Sequence, residues 1–354
     1  MKINLCRVSR MLAIVFLATA WAVAGEGGRD VFVVTSTNNP SGNNVVVFKL
    51  NRGGTPSLSM VDMLPTGGNG GASTNAGILQ FGNGLGAVAN YGSNSVTQLV
   101  RYDDFIGVGP TIKLSSGCTN PDSVALTEEH LFVVGTNCAE SHAWPSGHVD
   151  GTVVSLSDPS AAQIAVGRSW SAVTFSDGHL YQLPLTPSGE LTGTYNSVTL
   201  PAGASLVPLG EAFWGDILGF TPAHDVDNFA ILDKDRNVYP VVFPTPPGPY
   251  PANAPCWVAK GPGSVWYTGN SPGHAISIFF SDGEGGVFYK SIPLGGAPSD
   301  ITVSRDGKWL AVIFSASSEA YVSVFSIDAY GDLTPVATSS SVGVAAFSGV
   351  AFSQ

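Results

Sequence analysis

Apolar positions in this chain come in short runs closed by turn residues, not in helical stripes. Near the C-terminus Pro298–Ser304 is followed by the turn Arg305–Lys308, then Trp309–Phe314, Tyr321–Ile327, a turn at Ala329–Asp332, and Leu333–Ala337. Each run is rich in β-branched and aromatic residues, which fit a pleated surface, and each gap holds Gly, Asp or Ser. The pattern predicts four short strands. The same order recurs one unit earlier, as Pro255–Ala259, Ser264–Thr268, His274–Phe280 and Val287–Ile292. It recurs again as Ala76–Phe81, Leu85–Asn90, Ser95–Arg101 and Thr111–Leu114, and at the start as Val31–Thr35, Asn44–Leu50 and Leu58–Met63.

The third turns of the units fall near Gly53, Gly107, Asp158, Gly189, Arg236, Gly285 and Gly331. Their spacing is about 47 residues, shortened to about 31 between Asp158 and Gly189, the range of blade-type repeats. Seven such units predict an all-β, seven-bladed β-propeller spanning 25–354 as one domain. The short interval predicts a shortened fourth blade near Ser169–Leu200 that has lost a strand. The first unit lacks an innermost strand, and the apolar tail Ala345–Phe352 is the candidate to supply it and close the ring. Two separate β-sandwiches are the alternative, and the steady period counts against them.

Composition sharpens this. Of 354 residues, 43 are Gly and 24 Pro, only 12% are charged and 44% are hydrophobic, which excludes a disordered chain. Helix-forming Ala/Glu/Lys/Leu windows are missing. The net charge of −11, with 15 basic residues spread along the chain, argues against nucleic acid and against anionic membrane as partners. Residues 1–24 read as a signal peptide: Lys2, Arg7 and Arg10 precede an apolar Leu12–Ala20, and Ala22-Val23-Ala24 is a small-x-small cleavage site. The expectation is a secreted or periplasmic monomer that meets a small molecule. In that oxidising setting Cys118 and Cys138, which flank one predicted strand pair, are expected to bond, leaving Cys256 free and buried.

The segment Pro298-Ser-Asp-Ile-Thr-Val-Ser-Arg-Asp-Gly-Lys-Trp-Leu-Ala-Val312, followed by Val322-Ser-Val-Phe-Ser-Ile-Asp328 and Gly331-Asp-Leu333, resembles the lactonase-like seven-bladed propellers. So does Asn90-Tyr-Gly-Ser-Asn-Ser-Val-Thr97. That group includes 6-phosphogluconolactonase-like and carboxymuconate cyclase-like proteins, many of them secreted. The resemblance implies hydrolysis or isomerisation of a small lactone at the channel mouth, with a His beside acidic and basic partners. Its motifs are blade-building motifs, and no catalytic residue of the family aligns one to one.

The candidate chemistry is therefore read from the residues. The loops entering each innermost strand, with those joining second to third strands, are expected to crown the mouth. His142 and His148 lie in an apparent insertion, Thr136–Asp150, and His224 lies beside Asp225 and Asp227. These three histidines are the candidate bases, although a solvated loop and a polar turn are the simpler readings of their settings. Asn90, Asn94 and Asn270 are candidate carbonyl donors, and Trp170 and Trp257, with Trp214, a candidate aromatic platform. No cofactor is expected; a structural Ca²⁺ at Asp225 and Asp227 is the one metal alternative, and no standard zinc spacing occurs. Asp122 and Asp300, each just after a proline, read as turn caps. Arg52, Arg101, Arg236 and Arg305 fall at turns or strand ends away from the predicted mouth, and only Arg168 falls near an inner-strand entrance, so a polyanionic substrate is not indicated. The alternative function is a binding or scaffold propeller without chemistry.

Overall fold

The computed structural model describes residues 30–72, 76–200, 206–222, 229–241, 254–343 and 347–353. They form seven four-stranded antiparallel sheets, numbered here as blades I to VII. In each blade the first strand lines the axis and the fourth forms the outer edge. The inner strands are Ser348–Ser353 in blade I, Leu79–Gly82 in II, Pro121–Leu126 in III and Ala161–Val166 in IV. Glu211–Trp214, Pro255–Lys260 and Ala297–Val303 serve blades V to VII.

The ring closes as the tail predicts. Ser348–Ser353 pairs antiparallel with Val31–Ser36, register Val33↔Phe352 and Thr35↔Val350. The first and last segments of the described chain thus share one sheet, and an edge that an open array would expose is paired. At the joint, Gly349 sits at φ 76° with Ile78 of blade II so close that a Cβ would lie 2.3 Å from its Cγ2. Only glycine fits both the left-handed backbone and the contact.

Blade faces pack on each other rather than on a common centre. Val31, Val33, Val46 and Phe48 of blade I interlock with Ala311, Ile313, Val322 and Val324 of blade VII. Strand after strand is buried through on both faces, so alternation is weak and residues such as Val45-Val46-Val47-Phe48 run on as an unbroken apolar series.

Two details differ from expectation. Blade IV keeps four strands; its shortening lies in the outermost one, which is only Asn196–Ser197. The short spacing arose because Asp158 lies in the connection between blades III and IV, not in a third turn. Second, Thr136–Asp150 is not a loop insertion. Cys138–Ala143 is the third strand of blade III, paired with His130–Gly135 on one side and Val149–Ser155 on the other. Its polar residues looked like loop because they are buried between blades, where only pairing makes them tolerable.

Candidate functional site

The inner strands are edge strands, with one row of backbone groups facing the axis. Five of them carry a one-residue bulge near the entry end, at Gly349, Asp122, Ala162, Cys256 and Ser299. A bulge re-aims the side chains beside it. The residue that follows reaches sideways to the next inner strand in three blades. Trp257 Nε1 donates to the Pro298 carbonyl (2.8 Å), Asp300 Oδ2 accepts from the Val350 amide (3.0 Å), and the Gln163 amide bonds to Glu211. Asp122 and Asp300 are therefore not equivalent, as their common spacing from proline suggested: one is the bulged residue, the other follows a bulge.

Between the seven inner strands lies a cavity of about 470 Å³. Its inner end is framed by Gly77, Gln163, Glu211 and Asp300, and its outer end by the first turns of the blades, including Asn83, Glu128 and Arg305. Exposure rises towards the ends of the inner strands, from buried Leu79 to half-buried Gly82 and from buried Ala259 to half-buried Lys260. At the entry end, Ala76, Ala162, Leu209 and Cys256 of four different blades belong to one packed apolar cluster. Among the described residues, the cavity thus opens at the end opposite to the expected crown. This reverses the reading of the cations. Arg305 and Lys260 stand at the open end, and Arg168 lies in the turn after its inner strand rather than before it.

Among the residues lining the cavity, two carboxyls and one amine are shifted from their usual ranges. Glu211 is 1% exposed, and neither of its carboxyl oxygens has a hydrogen-bond partner. Burial pushes its pKa well above the carboxylate range, opposed only by the nearby Ala165 amide. Burial also raises Asp300, to about 7, against the pull of the Ile301 and Val350 amides. Lys260 is lowered to about 8 by burial, with Nζ donating to the Gly261 (2.6 Å) and Val265 (3.1 Å) carbonyls and lying over the Trp214 and Trp266 rings. Titratable groups shifted by burial and gathered in one cleft mark a candidate functional site. Sequence reasoning missed Glu211 altogether. Glu211-Ala-Phe-Trp214 is a four-residue strand with no motif around it, and its only signal was an acid opening an otherwise apolar run.

The residues singled out from sequence lie elsewhere. His142 is fully buried between blades, its Nε2 against Glu140 Oε1 (2.8 Å) and its Nδ1 against the Gly147 carbonyl (3.0 Å). Burial raises Glu140, but hydrogen bonds from His142 and Ser115 outweigh it and hold the carboxyl below its ordinary value. His148 is exposed in the turn between third and fourth strands, well out along blade III. His224, Asp225 and Asp227 lie outside the described residues.

Asn90 is buried and saturated, accepting from Thr66 Oγ1 (2.7 Å) and Asn43 Nδ2 (3.1 Å) and donating to Thr97 (2.9 Å). Asn270 repeats that role in blade VI with Thr268 and Ser277. Asn94 sits in the left-handed region at φ 47° and accepts from the Asn120 amide. Trp170 starts a second strand and meets Phe213 edge-on at 4.6 Å, while Trp257 is buried between blades VI and VII. The structure gathers none of these residues around the cavity. Cys118 and Cys138 are bonded, with Cα atoms 5.5 Å apart, and Cys256 is free and buried. Its thiol is pushed up to about 11 by burial.

Among solved structures, a protein of unknown function from Desulfotomaculum acetoxidans matches 91% of this chain and 98% of its own at TM-score 0.66 and 14% identity. A candidate 6-phosphogluconolactonase from Bacteroides uniformis matches 92% and 99% at TM-score 0.65 and 14% identity. A second candidate, from Bacteroides fragilis, matches 88% and 97% at 0.62 and 13%. The fold shared with them is a seven-bladed β-propeller. At these identities the lactonase-like likeness extends to architecture and not to residues. No family model matches the sequence, and no curated protein matches it.

Proposed function

We propose that this chain is an exported, lactonase-like propeller that opens a small uncharged cyclic ester in its central cavity, with Glu211 as acid and Asp300 as base. The observation that carries this reading is the Glu211 carboxyl, buried and opposed only by the Ala165 amide, on a residue that lines the central cavity. A buried polar group left unpaired costs about 1–3 kcal/mol, and such cost is usually tied to function.

Glu211, whose burial favours the protonated carboxyl, donates a hydrogen bond to the ester carbonyl and stabilises the oxyanion that develops there. Asp300, with a pKa of about 7, is ionised in part and accepts the proton of an attacking water. The water oxygen bonds to the carbonyl carbon. On collapse the ring C–O bond breaks, and the leaving alkoxide takes the proton back from Asp300. The product is the open hydroxy acid. Protonated carboxyls at the inner end suit an uncharged, hydrogen-bond-accepting group there.

The test is a panel of aliphatic and aromatic lactones with Glu211→Gln and Asp300→Asn. Loss of turnover by about 10²-fold or more in Asp300→Asn, with activity of the parent rising as pH passes through about 7, supports the assignment. Equal turnover in both variants overturns it. The alternative, binding without turnover, is favoured by one observation: no described histidine lines the cavity. Ligand-dependent thermal stabilisation without product would decide for it. Sequencing the N-terminus of the exported protein tests cleavage after Ala24.

A further inference from the structure

Gln163 is a cavity-lining residue that neither the acid nor the base role uses. It is buried, and its side-chain amide makes a two-point contact with the backbone of the neighbouring blade. Oε1 accepts from the Glu211 amide at 2.8 Å, and Nε2 donates to the Glu211 carbonyl at 2.9 Å. Both groups belong to the free edge of an inner strand, which no fifth strand pairs. Glu211 lies opposite Phe220 in the register with the second strand, and its own N–H and C=O are both turned to Gln163, while its carboxyl has only the Ala165 amide near it. The strand it opens is only Glu211–Trp214, too short to fix its own first residue by ladder bonds alone.

We propose that Gln163 is a positioning residue: by clamping both backbone groups of Glu211 across the joint between blades IV and V, it keeps the unpartnered carboxyl buried at the inner end of the cavity. The inference rests on the reading of Glu211 as the acid, and it adds the device that keeps it one. A carboxyl free to swing towards the open end would hydrate and ionise, and an ionised Glu211 cannot donate to an oxyanion. Primary amides suit this task because one side chain supplies an acceptor and a donor in a fixed plane. Asp300, at the corresponding place in blade VII, reaches the next inner strand through the Val350 amide alone, its other oxygen accepting from the Ile301 amide.

The experiment follows the Glu211 side-chain carbon by NMR against pH in Glu-labelled full-length protein, with lactone turnover measured in parallel. In Gln163→Met, which keeps the volume and loses both bonds, the Glu211 midpoint should fall towards the ordinary value of about 4.3. The midpoint near 7 in the pH profile of turnover, set by Asp300, should stay. Turnover number should fall about tenfold or more with KM nearly unchanged. Gln163→Glu, whose protonated acid offers the same donor and acceptor, should hold the Glu211 carbon at its protonated chemical shift at acidic pH and release it to ionise in step with residue 163. If Gln163→Met folds cooperatively and leaves the Glu211 midpoint in place, the positioning role is wrong. If Gln163→Met does not fold, the pH dependence of Gln163→Glu decides, since a merely structural role would not follow the ionisation of residue 163. If the parent turns over no lactone, the acid role of Glu211 falls, while the titration still decides whether Gln163 holds it.

Discussion

Asp300 Oδ2 accepts a hydrogen bond from the Val350 amide at 3.0 Å, joining the inner strand of the last blade to the strand that closes the first. One carboxyl therefore lines the cavity and also ties blade VII to the strand that closes blade I.

Ring closure should be all-or-none. Removing residues 343–354 unpairs Val31–Ser36, strips Val350 and Phe352 from the core they share with blade VII, and frees the Asp300 carboxyl. The truncated chain should show no cooperative unfolding by circular dichroism. A milder probe is Gly349→Ala, which strains the backbone at φ 76° and crowds Ile78. It should cost about 1–3 kcal/mol in chemical denaturation.

Stability should fall as pH rises from about 5 to 8. Asp300 and Asp122 have folded pKa values of about 7 and about 8, and Glu211 is raised further in the same direction. An acid raised in the folded state binds its proton more tightly there than when unfolded. Its contribution is present at low pH and is lost as pH climbs from the unfolded value, about 4, through the folded one. His130 is raised too, by the Ser188 carbonyl and Asp150 acting against burial, and its contribution is lost in the same direction. Asp158 and Glu190, lowered to about 2, matter only below pH 5. The melting temperature should be higher at pH 5 than at pH 8, and Asp300→Asn should flatten that slope.

His142 should prove structural. His142→Ala leaves Glu140 buried and short of a partner, and losing one member of such a pair costs about 3–5 kcal/mol. Unfolding midpoints should drop accordingly, while lactone turnover per folded molecule stays unchanged. A selective loss of turnover would return His142 to the catalytic candidates.

The Cys118–Cys138 bond closes a loop of sequence separation 20 beside the third strand of blade III. Replacing both cysteines by alanine should destabilise the protein by about 3 kcal/mol. Cys256→Ala should change stability far less and leave one bridge intact in non-reducing peptide mapping. A buried thiol whose pKa is about 11 should also resist alkylation in the native state.

The architecture was legible in the sequence because it rests on local, repeated signals. Strand runs and turn residues set the period, the leftover Ala345–Phe352 run found its partner by elimination, and two cysteines flanked one strand pair. The short strand Asn196–Ser197 and the polar third strand Cys138–Ala143 were misread. Turn spacing alone cannot tell a blade connection from a third turn, and Glu140 and His142 mimic a loop until each is seen to satisfy the other. The site was decided by tertiary structure alone. Glu211, Gln163 and Asp300 are far apart in sequence and carry no motif. They line one cavity because seven inner strands share an axis, and burial there raises the two carboxyls by amounts no residue type predicts. Among the described residues the two ends of the channel were likewise distinguished by packing: Ala76, Ala162, Leu209 and Cys256 share one apolar cluster near the entry end, and the first turns frame the other.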